Sequence, residues 1–144
     1  MTLSDEVDIY ALDASNVEEL SDLIDGSIGQ DSSFHSTFGY YADGVSPETS
    51  KMPSDWRERA SQYESPESPG VLAIVPEEND IALAKLVAWR EKDVRWLKDG
   101  VAAGVLSLDK MIARLPLMPA GEIEKGMPDI QTLQDRLRIL ASRR

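Results

Sequence analysis

Three features of the sequence predict a mixed α/β (α+β) fold: a small sheet flanked by helices, with a helical C-terminal part. Residues 6–12 alternate apolar and polar side chains with the two-residue period of a strand. Residues 17–28 and 80–101 instead repeat apolar side chains at three-, four- and seven-residue spacing, the period of a helix. Beyond residue 76 only helical signals recur. The order is strand, helix, one or two strands, strand, then three or four helices, which suits an α+β or α/β domain.

The elements follow in order. In the first strand Val7, Ile9 and Ala11 alternate with Glu6, Asp8 and Tyr10. A turn at 13–16 offers Ser15 or Asn16 as a helix cap. Val17, Leu20, Leu23, Ile24 and Ile28 then share a helical face, which Gly26 and Gly29 bring to an end. Residues 30–36 are polar and expected to be irregular. Residues 37–45 are rich in aromatic side chains and read as a strand ending at Ser46-Pro47. Segment 56–63 fits a helix or a strand, and 64–69, with two prolines, is a loop. The apolar run 70–76 reads as a buried strand.

The strongest helical stripe joins Leu83, Val87, Val94, Leu97 and Val101, with Arg90 inside it. It predicts one helix to about residue 100, or two with a break near Arg90. Ser107 caps a helix through Leu115, and Pro116, Pro119 and Gly121 mark a linker. Residues 129–142 give a last helix, with Ile130, Leu133, Leu137 and Leu140 on one face and arginines toward its negative end.

A chain of 144 residues suits one domain with a sizeable core. No apolar run approaches the roughly 18 residues that span a bilayer. The first six residues lack the basic and apolar regions of a secretory signal, so the cytoplasm is the expected compartment. Without cysteine there is no disulfide, thiolate metal site or cysteine nucleophile. The net charge is −11, and it is uneven: residues 1–50 hold 11 acidic side chains and no Lys or Arg, whereas residues 51–144 hold 15 of each sign. No basic nucleic-acid patch or DNA-binding motif emerges. The acidic half is a solvated surface, a divalent-metal site or a surface for a basic partner; unaided, it repels phosphate.

Several residues can carry chemistry. Glu6 and Asp8, two apart in a strand, point to one side and can share Mg²⁺, or they can simply line a wet edge. Lys85 and Lys92 align seven apart on a helix, with Arg90 in the apolar stripe and Asp93 beside it. They form either a contact for an anionic ligand or a surface cluster with a snorkelling lysine. The lone His35 is a base, a donor to substrate phosphate, or structural. The Phe38-Gly39-Tyr40-Tyr41 stretch can stack a base or pack in the core. No Gly-rich phosphate loop, zinc-protease helix motif or nucleophile elbow is present.

Taken together these segments resemble bacterial nucleotidyltransferase-like proteins related to the AbiEii toxins. The likeness runs through Glu6-Val7-Asp8-Ile9-Tyr10, the string from Ile28 to Val45 with its Phe-His and Phe-Gly-Tyr-Tyr pattern, Pro47-Glu48-Thr49, and Asp55-Trp56-Arg57-Glu58-Arg59. It continues through NDIALAKLVAWREKD at 79–93 and covers about two thirds of the chain. The resemblance implies a fold like that of polymerase β-type nucleotidyltransferases, with the acidic pair on Glu6 and Asp8, a helical lysine at Lys85 and an acid at Asp93. Asp8, Lys85 and Asp93 would then be catalytic, Glu6 and Asp8 metal ligands, and His35, Arg90 and Lys92 substrate contacts. The implied reaction is metal-dependent transfer of a nucleotide from a nucleoside triphosphate to RNA or to a protein, in a toxin–antitoxin or phage-defence setting.

Two departures stand out. The family carries a Gly-Ser motif, which holds the triphosphate, tens of residues before the acidic pair, and only five residues precede Glu6 here. That unit is expected to be missing through truncation or degeneration, through an internal start, or because another chain supplies it. Trp89 stands where the pattern has glycine, and its ring is expected to crowd the site. Residues 1–115 would form the nucleotidyltransferase-like domain, incomplete at its N-terminus, and 116–144 a linker and C-terminal helix. The alternative is a catalytically inactive interaction or antitoxin-like protein. The sequence sets no oligomeric state.

Overall fold

The computed structural model describes residues 5–12, 15–45, 50–64, 66–67, 69–119 and 126–142. It has the mixed α/β architecture expected, arranged as two compact units, residues 2–50 and 51–144. No helix among the described residues is long and apolar enough to cross a membrane.

In the first unit, β1 (Glu6–Ile9) pairs in parallel with β2 (Tyr41–Gly44). Parallel neighbours cannot be joined by a tight turn. The crossover is made by α1 (Val17–Ile28) and the short α2 (Ser33–Phe38). α2 occupies part of the stretches expected to be irregular or strand. Ser32 caps it by accepting the His35 N–H, and Gly39 ends it at φ +77°. The capped turn decides the local structure ahead of aromatic strand propensity. Phe38 and Tyr40 are more than half exposed, packing with Phe34 as a small ring cluster rather than in a core. α1 lies directly on β2. A Cβ on Gly44 would sit 1.8 Å from the Ser21 carbonyl oxygen, and the Ser21 hydroxyl donates to the Val45 carbonyl at 2.8 Å.

In the second unit α3 (Trp56–Arg59) leads into an antiparallel hairpin of β3 (Ser61–Glu64) and β4 (Leu72–Val75). Two expectations are corrected here. The strands do not form the one small sheet expected: β1 pairs with β2 in the first unit and β3 with β4 in the second. Nor is 70–76 buried: Val71, Leu72 and Val75 are exposed, because a lone two-stranded ribbon has too few neighbours to cover its faces.

The helices carry the core of this unit. α4 (Glu78–Ala88), α5 (Glu91–Ala102), α6 (Leu108–Arg114) with its 3₁₀ extension (Leu115–Leu117), and α7 (Ile130–Ala141) bury Leu83, Leu86, Leu97, Met111, Leu133 and Leu137 among others. Ser107 and Asp129 cap α6 and α7 by accepting the Lys110 and Thr132 N–H groups. Ile130, expected on the buried face of α7, is half exposed in the first turn.

The long stripe breaks where a second helix was an open alternative. Trp89 adopts the left-handed conformation at φ +51°, ψ +32°, ending α4, and Arg90 starts α5. That backbone favours glycine, which accounts for the glycine expected at this position. The Trp89 ring packs against the core, with the Arg136 guanidinium 5.3 Å from its centroid. Arg136 donates to the Leu86 and Val87 carbonyls at 2.8 Å each, covering acceptors the helix end leaves open.

The start of α4 is an ionic knot. Asp80 is fully buried and accepts from Arg59 Nε and Nη2 at 2.9 Å each and from Arg114 Nη1 at 3.0 Å. Arg59 also holds Asp55 at 2.8 Å through two nitrogens, and Arg114 reaches Glu77. Glu77 caps α4 and accepts from the Asn79 amide at 2.6 Å, while Asn79 Oδ1 accepts the Ser107 N–H at 2.7 Å.

Removing one partner from a buried ion network leaves its counter-charges stranded, so Asp80→Ala should cost about 3–5 kcal/mol of unfolding free energy in denaturant titration. Acid should loosen the same unit. The Arg59 hydrogen bonds hold Asp55 below its ordinary 3.8. Burial raises Glu77, but Arg114 and Asn79 outweigh it and leave it below 4.5. Carboxyls depressed on folding contribute stability above their unfolded values and lose it as pH falls through the folded ones. Melting followed by circular dichroism should therefore hold level down to about pH 5 and decline below that. Gly44→Ala should force α1 off β2 at a cost of about 1–3 kcal/mol, read as faster hydrogen exchange at residues 17–28 and 41–44.

Candidate functional site

The parallel register builds a carboxylate group in the first unit. Glu6 and Asp8 project from one face of β1, and the pairing sets Glu6 opposite Tyr41 and Asp8 opposite Asp43. Glu6, Asp8 and Asp43 each offer an oxygen within 4.8 Å of the others. Asp43 was not among the residues singled out from sequence. Its signal was there, since the alternation of Tyr41, Ala42 and Asp43 sets the first and third on one side, but only the strand pairing shows which carboxylates they meet.

Neighbouring groups shape this cluster. The Gln30 N–H donates to Asp43 Oδ1 at 3.2 Å. The Asp25 carboxyl is held above its ordinary range by its hydrogen bond to Asp43, with burial and the Asp43 and Asp22 charges adding to it. The Tyr41 hydroxyl lies 3.4 Å from Glu6 Oε2. Burial, then the charges of Glu6 and Asp43, push the Tyr41 phenol up. The His35 ring packs at a tilt against Tyr41, 4.6 Å between ring centroids and 53° between planes, and its Nδ1 accepts the Asp31 N–H at 3.0 Å. Neutral His35 therefore carries its proton on Nε2.

Three hard oxygen donors suit a small divalent cation. Ligands on opposite sides of a magnesium octahedron are about 4.2 Å apart, so the observed limit is within reach of small rotamer adjustments. The carboxylates belong to a stretch, residues 1–50, with no Lys or Arg.

Lys85, Arg90 and Asp93 come together in the second unit. Asp93 is fully buried in the first turn of α5 and accepts Arg90 N–H at 3.1 Å and Arg90 Nε at 2.8 Å. Lys85 Nζ lies 3.5 Å from Asp93 Oδ1 and 5.2 Å from the Trp96 ring centroid. Burial raises Asp93, but the Arg90 hydrogen bonds and the Lys85 charge hold it below 3.8. Arg90, placed by periodicity in the apolar stripe, is mostly exposed because the break at Trp89 rotates it outward. Lys92 is exposed on α5. The structure thus forms two groups: Glu6, Asp8 and Asp43 with His35 behind Tyr41, and Lys85 with Arg90 and Asp93.

No curated protein and no solved structure matches the chain. A family model does match, over residues 1–135, a span that contains both groups. The chain belongs to the family described as nucleotidyltransferase of unknown function (DUF6036).

Proposed function

We propose that this nucleotidyltransferase-family chain transfers a nucleotide from a nucleoside triphosphate with a divalent cation, Mg²⁺ by preference, held by Glu6, Asp8 and Asp43. The observation that carries the reading is the convergence of three carboxylates from two paired strands. A bound Mg²⁺ would offset the charge that builds on phosphoryl oxygens during transfer. The chain's own part is positioning: Asp8 and Asp43 face each other across the pair, and Glu6 flanks them beside Tyr41. His35 Nε2–H is a donor for substrate oxygen. Following the resemblance, Lys85 and Asp93 are proposed as catalytic groups and Arg90 and Lys92 as substrate contacts. The acceptor is RNA or a protein, and the AbiEii likeness supports a cytoplasmic role in toxin–antitoxin or phage defence.

One observation favours a second reading, a non-catalytic interaction or antitoxin-like protein. Asp93 is fully enclosed and serves the start of α5, which is a structural employment of a residue the first reading makes catalytic.

The two readings separate in one pair of measurements. The wild-type chain should bind Mn²⁺ in calorimetric titration, and Asp8→Asn or Asp43→Asn should weaken binding at least about 10-fold by removing one of three ligands. With α-labelled nucleoside triphosphates, Mg²⁺ and bulk RNA or protein, the wild type should transfer label and Asp8→Asn should not. Transfer that survives Asp8→Asn sinks the metal reading; Mn²⁺ binding with no transfer to any acceptor puts the interaction reading ahead.

A further inference from the structure

We infer that Tyr41 is a positioning residue that makes the carboxylate group selective for Mg²⁺ and Mn²⁺ over Ca²⁺, an inference that rests on the metal reading above. Small octahedral cations take one oxygen from each carboxylate, whereas Ca²⁺ accepts six to eight oxygens and readily takes both from one carboxylate. The Tyr41 hydroxyl is directed at Glu6 Oε2 at 3.4 Å, long for an O–H···O contact. A phenol donating to Oε2 competes with a cation for that oxygen and fixes the plane of the carboxylate, which favours ligation through one oxygen over two.

The phenol is itself held in place. Glu6 and Tyr41 are register partners in the β1–β2 pair, so their backbones are fixed side by side. The His35 ring rests on Tyr41 at 4.6 Å. His35 is anchored twice: its backbone N–H donates to the Ser32 cap at 3.2 Å, and its Nδ1 accepts from Asp31 at 3.0 Å. Asp31 reaches that position in a left-handed conformation, φ +65°, one of two non-glycine residues with positive φ among those described. A relay runs from Asp31 through His35 and Tyr41 to Glu6. Outer groups of this kind orient ligands and change metal affinity by about 10–100-fold when removed.

The test measures Mn²⁺ and Ca²⁺ dissociation constants by calorimetry on the full chain, for wild type, Tyr41→Phe, His35→Leu and Asp8→Asn. Tyr41→Phe keeps the ring against His35, so the far-ultraviolet spectrum and metal-free melting curve should match wild type. Its Mn²⁺ affinity should fall about 10-fold while Ca²⁺ affinity holds or rises, lowering the Mn²⁺/Ca²⁺ preference at least 10-fold. His35→Leu, which removes the support without touching the phenol, should move the preference the same way by a smaller factor. A purely structural role would move both metals together. The inference is overturned if wild type binds Mn²⁺, Asp8→Asn loses it, and Tyr41→Phe keeps the wild-type preference. If wild type binds no Mn²⁺, the metal reading falls and takes this inference with it.

Discussion

Asp80 takes hydrogen bonds from two guanidinium groups that arrive from 21 and 34 residues away in the chain. An enclosed carboxylate is tolerable only when its lone pairs are met, and here they are met from α3 and from the end of α6. The knot fixes α3 and the end of α6 to the first turn of α4. Glu77 and Asn79 extend it to the cap of α6 through the Ser107 N–H. Once α4 is held at this end and its C-terminal carbonyls are covered by Arg136, its apolar side is presented to the other helices. The leucine and methionine core then follows from shape and area.

The first unit has a different logic. Its sheet is only two strands, and its apolar contact with α1 is close but small, with the tight approach at Gly44 in place of a broad core. Carboxylates are gathered on one face, in a stretch of sequence that holds no Lys or Arg. A domain organised for stability alone would separate like charges. Concentrating them where strand pairing forces proximity makes sense for a surface whose partner carries positive charge, and the family assignment makes a divalent cation the natural candidate.

Much of this was legible in the sequence, for identifiable reasons. The two-residue alternation in 6–12 was enough to place Glu6 and Asp8 on one side, because strand geometry is local. Helix ends at Ser107 and Asp129 were legible for the same reason. Asp43 was not, because which carboxylates it meets depends on a strand 35 residues earlier and on a register that no local pattern encodes. α2 was hidden by its aromatic content, where a serine cap outweighed strand preference. The hairpin run 70–76 was misplaced because an apolar segment says nothing of how many strands surround it. Asn79 and Asp80 were visible as a helix start, yet their burial rests on Arg59 and Arg114, and complementary charges so far apart leave no mark in a periodicity. Trp89 shows the converse: the expected glycine was a conformational signal, and the left-handed turn persists without it.

The bond from Arg136 to the end of α4 spans about fifty residues of chain. During synthesis the ribosome releases the polypeptide from its first residue onward. Every contact described for the first unit closes within residues 2–50, so that unit can consolidate while translation continues. The helical unit cannot do the same. Its α4 emerges with two carbonyls uncovered and an apolar side exposed until α7 has left the exit tunnel. The nascent chain therefore passes through an interval in which α4 has been made and the side chain that covers its end has not. That interval lasts at least as long as the translation of residues 89–136.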